Sequence, residues 1–160
     1  MIELRCITDS DKELLIEMFK NKEIKQTYML PDFEDDEGYI KLFEGFKNMS
    51  NSIRRYVRGI YLNETIIGFI NEVEKDEESI EVGYVIDPKY KGNGYATDAL
   101  EKTINYLFAK GYKEVICGAF DTNEASIRVM QKAGMKKKLK KDQIEYRGKV
   151  HNCVYYSLYI

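Results

Sequence analysis

Two glycines, two positions apart, sit in the stretch Tyr84-Val85-Ile86-Asp87-Pro88-Lys89-Tyr90-Lys91-Gly92-Asn93-Gly94-Tyr95-Ala96-Thr97. Glycine there lets the backbone come close to a ligand, and the helix expected to follow points its unpaired N–H groups and positive dipole end outward. The chemistry this supports is anion binding, phosphate foremost. A P-loop needs lysine and serine or threonine after its last glycine, whereas Gly94 is followed by Tyr95-Ala96, so the ATPase reading fails. A dinucleotide fingerprint needs a third small residue where Thr97 stands and a tight turn from the strand, but residues 87–91 intervene and Pro88 breaks the ladder. An ordinary glycine turn at the start of a surface helix remains an alternative on these residues alone.

Other reactive side chains are sparse. Cys6, Cys117 and Cys153 are far apart in apolar stretches, with neither metal-ligand spacing nor a disulfide framework, and read as buried, reduced thiols. His151 is the single histidine and has no evident partner, which favours a structural place over a catalytic one. The acidic run Glu34-Asp35-Asp36-Glu37 either complements the start of a helix or attracts a cationic amine, the first being the simpler reading.

The elements that must hold these residues follow from periodicity. The first strand lies within residues 2–7, and Thr8-Asp9-Ser10-Asp11 offers caps for a helix with Leu14, Leu15, Met18 and Phe19 on one stripe. A second helix carries Tyr39, Ile40, Phe43 and Phe46. Strands over 56–62, 66–73 and 80–86 make a meander with a turn at Asn63-Glu64. The helix after the glycine loop sets Ala96, Ala99, Leu100, Ile104, Leu107 and Phe108 on a broad face and stops at Gly111. An apolar strand at 115–120 precedes a helix with Ile127, Met130 and Ala133 inward, and two strands at 135–141 and 153–160 bracket a turn at Arg147-Gly148-Lys149.

This order describes an α+β class: a mixed, mostly antiparallel sheet flanked by about four helices. The 160 residues, 44% hydrophobic and 12% aromatic, suit a single domain spanning 1–160. A formal net charge of −2 gives no global basic field for nucleic acid, and the lysines at 136–138, 140 and 141 read as protection of a sheet edge. No apolar run approaches membrane-spanning length and Met1-Ile2-Glu3-Leu4-Arg5 opens a strand, so a cytoplasmic protein is expected.

The strand-loop-helix at 84–97, together with Asn123-Glu124-Ala125-Ser126-Ile127-Arg128-Val129-Met130-Gln131-Lys132-Ala133-Gly134-Met135, resembles the GNAT acetyltransferase superfamily, and within it the RimJ/RimL-like branch of ribosomal-protein N-terminal acetyltransferases. The superfamily signature Gln/Arg-x-x-Gly-x-Gly/Ala reads here Lys89-Tyr90-Lys91-Gly92-Asn93-Gly94, with Lys89 a conservative departure. The resemblance implies that main-chain N–H groups from Lys91 through Gly92, Asn93, Gly94, Tyr95 and Ala96, with Thr97 in the same helix turn, hold the diphosphate of acetyl-CoA. It implies further that Tyr84-Val85-Ile86 parts from the strand at 115–120 and that pantetheine lies in the gap, with Gly83 easing the distortion. Asn123 matches the residue that contacts the cofactor arm and Ser126 its small or hydroxyl neighbour, although both also suit a helix start.

Acetyl transfer to an amine needs a neutral nucleophile, a stabilised oxyanion and a proton for the leaving thiolate. The resemblance places Glu81 where a carboxylate takes the amine proton, and strand parity puts Glu81, Gly83 and Val85 on one face. The oxyanion falls to the Val85 N–H or a neighbour. The tyrosine that many GNAT enzymes place seven residues after the motif asparagine is here Met130, which cannot donate, so Ser126 becomes the acid candidate and Glu145 a weaker active-site carboxylate.

At pH 7 roughly a tenth of an α-amine of pKa about 8 is neutral, against well under a thousandth of a lysine of about 10.4. An α-amine at a protein N-terminus or another weakly basic small-molecule amine is therefore the expected acceptor. The expectation is an acetyl-CoA-dependent N-acetyltransferase working by direct attack, without metal or covalent intermediate. Its rival is a non-catalytic acyl-CoA-binding regulatory domain. A homodimer through the terminal strands is compatible with this fold type.

Overall fold

The computed structural model describes all residues, 1–160. Its strands are β1 (Ile2–Arg5), β2 (Val57–Leu62), β3 (Thr65–Lys75), β4 (Ser79–Ile86), β5 (Glu114–Phe120), β6 (Lys136–Tyr146) and β7 (Lys149–Tyr159). The helices are α1 (Lys12–Lys20), α2 (Lys22–Lys25), α3 (Asp36–Ser50), α4 (Tyr95–Ala109) and α5 (Glu124–Lys132). Hydrogen bonding joins the strands in the order β1-β2-β3-β4-β5-β7-β6, with β4 and β5 parallel. The α+β class holds, with five α-helices where about four were expected, because α2 has only four residues and so no periodicity to read.

The chain divides into two compact units. The first comprises Met1–Asn71 and Tyr84–Tyr95. Its core sets Leu15, Met18 and Phe19 of α1 and Phe43 and Phe46 of α3 against Val57, Tyr61, Ile66, Phe69 and Val85. Phe19, Phe46 and Phe69 meet edge-on with centroids 4.9 to 5.8 Å apart, the offset that aromatic quadrupoles favour. The acidic run turns out to work locally: Asp35 caps α3 by accepting from the Gly38 N–H at 3.2 Å, and Asp36 pairs with Lys20 at 2.8 Å.

The second unit comprises Glu72–Gly83 and Ala96–Ile160. Here β7 pairs antiparallel with β5 from Glu114↔Tyr159 to Phe120↔Cys153, and with β6 on its other side. The last two strands run longer than expected, eleven residues each, and meet at a turn where Arg147 and Gly148 take positive φ. The lysines fall on β6, the terminal strand of the sheet order, as expected of a guarded edge. One thiol departs from expectation: Cys117 and Cys153 are buried but Cys6 is exposed, since β1 ends at Arg5 and releases it from the apolar alternation.

Candidate active site

The glycine loop is built by local backbone chemistry. Asp87 ends β4 and its carboxylate accepts from the Lys89 N–H at 3.0 Å, fixing the 3₁₀ turn Pro88–Tyr90. The Asn93 side-chain amide then donates to the carbonyls of Tyr90 at 3.0 Å and Lys91 at 3.2 Å. Gly92 and Gly94 lie at φ +79° and +78°, and a Cβ on either would meet nothing within 4 Å. They are glycine for conformation, not crowding, and left-handed residues in such a turn aim successive N–H groups into a concavity suited to an anion. The Lys91 N–H is drawn into the turn, donating to Pro88 O at 3.3 Å, so the amide run starts at Gly92. It continues through Tyr95, Ala96 and Thr97, whose N–H groups precede any intrahelical acceptor. The Lys91 ammonium meets Glu23 at 2.5 Å.

Upstream of the loop, the parallel ladder between β4 and β5 pairs only Ser79–Glu81 with Glu114–Ile116, although both strands run further. Beyond it β4 is pressed on β3. The carbonyl of Val85 lies 2.1 Å from where a Cβ on Gly68 would be, so only glycine admits the approach. Val85 is buried, while Tyr84 and Ile86 are partly exposed.

Glu81 is the last residue of that ladder. In the second unit, pairing puts Glu81, Ile116, Gly118, Phe120, Cys153 and Tyr155 on one face of the sheet, with Asp142 of β6 opposite Cys153. A Cβ on Gly118 would stand 2.8 Å from the Tyr155 ring and 3.5 Å from Glu81 Oε2, so the glycine leaves room for ring and carboxylate side by side. Tyr155 Oη donates to Asp142 Oδ2 at 2.8 Å. Burial above all holds the Glu81 carboxyl above the usual carboxylate range; the charges of Glu74 and Asp142 add to this and that of Lys140 opposes it. Burial likewise pushes the Cys117 thiol and the Tyr155 phenol well up, so both stay protonated at neutral pH. A carboxylate with raised proton affinity is suited to take a proton near neutrality.

The remaining candidates lie elsewhere on the elements. Asn123 caps α5, its Oδ1 accepting from the Ser126 N–H at 3.2 Å, and Ser126 is half-buried in the first helical turn. Met130 has no exposed surface and belongs to the core under α5. Glu145 pairs with Val150 on the hairpin face opposite to Asp142 and Glu81, so it does not share a face with them. His151 stacks on Phe120, with centroids 4.1 Å apart and planes 11° off parallel, beside Tyr146. Sequence reasoning missed Gly68, Tyr155, Asp142 and Lys140. Gly118 carried a signal, a glycine inside an apolar strand, that went unread.

Residues 2–136 match the acetyltransferase (GNAT) domain family. This chain belongs to the GNAT acetyltransferases. Among curated relatives, the uncharacterized N-acetyltransferase YoaA of Bacillus subtilis (strain 168) is 33% identical over 140 residues, covering 84% of this chain and 78% of its own length. Of solved structures, RimL, the ribosomal L7/L12 alpha-N-protein acetyltransferase in complex with coenzyme A, superposes with TM-score 0.85 at 18% identity, covering 99% of this chain and 94% of its own. The spermidine N-acetyltransferase of Vibrio cholerae, in complex with CoA and spermine, does so with TM-score 0.83 at 15% identity, covering 99% and 95%. Both share the fold. The GNAT chain is thus an N-acetyltransferase, and none of its helices is long and apolar enough to cross a membrane.

Proposed function

We propose that this GNAT protein, acting as one domain over 1–160, transfers acetyl to a weakly basic primary amine by direct attack, with Glu81 as general base. The observation that carries the proposal is the Glu81 carboxylate itself: it closes the β4–β5 ladder, sits beside a glycine that leaves it room, and holds its proton more tightly than an exposed glutamate. Such a base accepts a proton from the substrate ammonium, directly or through one water, leaving the neutral amine to attack, with less driving force wasted at neutral pH.

Acetyl-CoA supplies the activated acetyl group. The main-chain amides of Gly92 to Thr97 bind its diphosphate, and the loop fits that task because its glycines already hold the required conformation. Tyr84, Val85 and Ile86 offer the main-chain edge of β4 to the pantetheine arm, and the N–H of Val85 or a neighbour in this segment meets the oxyanion. Asn123 reaches the same arm. With Met130 buried in the core, Ser126 is the hydroxyl of α5 assigned to return a proton to the leaving thiolate.

RimL acts on a protein α-amine and the Vibrio enzyme on spermidine. Of these two classes the α-amine agrees better with a site holding one carboxylate base and no strong acid, because it needs the least deprotonation. A non-catalytic CoA-binding role has no such use for Glu81. The test is Glu81→Gln: CoA binding by thermal shift stays as in the parent while kcat falls about 10²- to 10⁴-fold on α-amine peptides. Unchanged turnover removes Glu81 from its role, and a screen across peptides, polyamines and aminoglycosides that favours the last two removes the α-amine.

A further inference from the structure

β6 and β7 fall out of step in one place. Lys137 pairs with Tyr156 and Lys141 with Val154, so three residues of β6, Lys138, Leu139 and Lys140, stand where β7 has only Tyr155. The two extra residues keep the parity of β6 but bend the strand locally and crowd its side chains around Tyr155, and such bulges recur beside active sites. The three go separate ways. Lys138 meets Glu114 at 2.5 Å, Leu139 is fully exposed, and Lys140 brings its ammonium to 4.4 Å from the centre of the Tyr155 ring.

That ring does not move freely. Its hydroxyl is tied to Asp142, and its edge fills the space left by Gly118, where Glu81 also comes. From the ring face the Lys140 ammonium is 3.9 Å from Glu74 and 4.0 Å from Asp142. The titratable groups around Glu81 are therefore Glu74 from β3, Lys140 and Asp142 from β6, and Cys153 and Tyr155 from β7, with the Cys117 thiol of β5 on the opposite face of the sheet. The thiols and the phenol are neutral, the two carboxylates repel a charge on Glu81, and Lys140 attracts it.

We propose that Lys140 is a positioning residue of the acetyl transfer, delivered to the Tyr155 ring by the β6 bulge so that Glu81, crowded by Glu74 and Asp142, remains an anion able to accept the amine proton. The inference rests on the reading of Glu81 as general base. Cation–π attraction and the two carboxylates hold the ammonium in place, so its field acts from a fixed point. Without it, burial and like charge act on Glu81 unopposed, and the proton-accepting form is lost at the acidic end of the working range.

The test compares the parent with Lys140→Met, which keeps a stem over the ring, and Lys140→Arg, which restores charge and stacking. Two readouts are needed: kcat/KM against pH, and the ¹³C titration of the Glu81 carboxyl by NMR in the whole protein. Lys140→Met is expected to lose roughly three- to tenfold in kcat/KM on the acidic limb, with the plateau within about twofold, and to move the Glu81 midpoint upward. Lys140→Arg should recover both. If Lys140→Met unfolds, Lys140→Gln carries the same expectation. An unmoved limb with an unmoved Glu81 midpoint in a folded variant overturns the proposal. Full turnover by Glu81→Gln overturns the general-base reading instead, and the NMR midpoint then still decides whether Lys140 sets the charge on Glu81.

Discussion

Replacing Gly68 by alanine would place a methyl group 2.1 Å from Val85 O and 3.1 Å from both Cα and Cδ1 of Ile86. Non-bonded carbon and oxygen normally stand more than 3 Å apart, so the carbonyl must retreat by about 1 Å. The obstacle is backbone, not a side chain that can rotate away. Close by, the Asp87 N–H donates to Ile67 O at 2.7 Å, which resists sliding β4 off β3. Overpacking of this kind costs about 1–3 kcal/mol, and at about 2–4 °C per kcal/mol for a chain of this size the melting temperature should fall by roughly 2–12 °C. The same shift displaces Val85 and Ile86, whose main chain is proposed to hold the pantetheine arm. Losing one such hydrogen bond weakens CoA binding about tenfold. Differential scanning fluorimetry without ligand and calorimetric titration with CoA read the two effects separately. An alanine variant with the parent's melting temperature would refute the packing argument, and one that melts early yet binds CoA normally would detach Val85 and Ile86 from the cofactor.

Three further outcomes follow from the geometry. Gly94→Ala forces a side chain into the left-handed region, costing about 1–2 kcal/mol, so it should melt roughly 2–8 °C lower and bind CoA more weakly; retained affinity would remove the loop from the diphosphate. The raised proton affinity of Glu81 means the folded state keeps a proton that the unfolded chain releases, so stability contributed by this group is lost as pH rises from the ordinary value of 4.5 through the folded one. Glu81→Gln should accordingly melt above the parent at pH 7.5, with the gain shrinking toward pH 4; a constant gap across that range would contradict the burial argument. Iodoacetamide on the native protein should label Cys6 and spare Cys117, whose thiol is fully buried and pushed up, and Cys117→Ala should keep turnover within about twofold; a native adduct at Cys117 by mass spectrometry would refute this.

What could be read from the chain was what neighbours along the chain decide. The spacing of Gly92 and Gly94 before a helix carries its own meaning, because the constraint is on their φ angles. Gly68 and Gly118 are required by atoms of Val85 and Tyr155, distant in sequence, and look like any strand glycine until the pairing is known. Lys140, Asp142 and Tyr155 meet only through the pairing of β6 with β7 across the bulge, which spacing along the chain does not show. The same register puts Glu145 on the face away from Asp142 and Glu81, which its place in the sequence did not show. Cys6 was misplaced because it continues the apolar alternation of Ile2 and Leu4, although the strand ends one residue before it.

The two halves of the proposed chemistry accordingly depend on different kinds of structure, and this leads to a last prediction. Cofactor holding is assigned to main-chain groups at 92–97, so it answers to backbone conformation and is nearly blind to the charge of Glu81. Proton acceptance is assigned to one carboxylate whose affinity is raised first by burial and then adjusted by Glu74, Lys140 and Asp142, charges that do not touch the loop's backbone conformation. Variants should therefore sort by readout: Gly94→Ala changes CoA affinity and leaves the acidic limb of the pH profile in place, whereas Asp142→Asn moves that limb downward in pH and leaves CoA affinity within about twofold. The downward direction follows because removing a negative neighbour favours the charged form of Glu81. Loss of the Tyr155 tether would add a uniform fall in rate, visible on the plateau and separable from the shift. If Gly94→Ala moved the limb, or Asp142→Asn left it fixed, the division of labour between loop and cluster would be wrong, and the base would have to be sought among groups that respond to the loop.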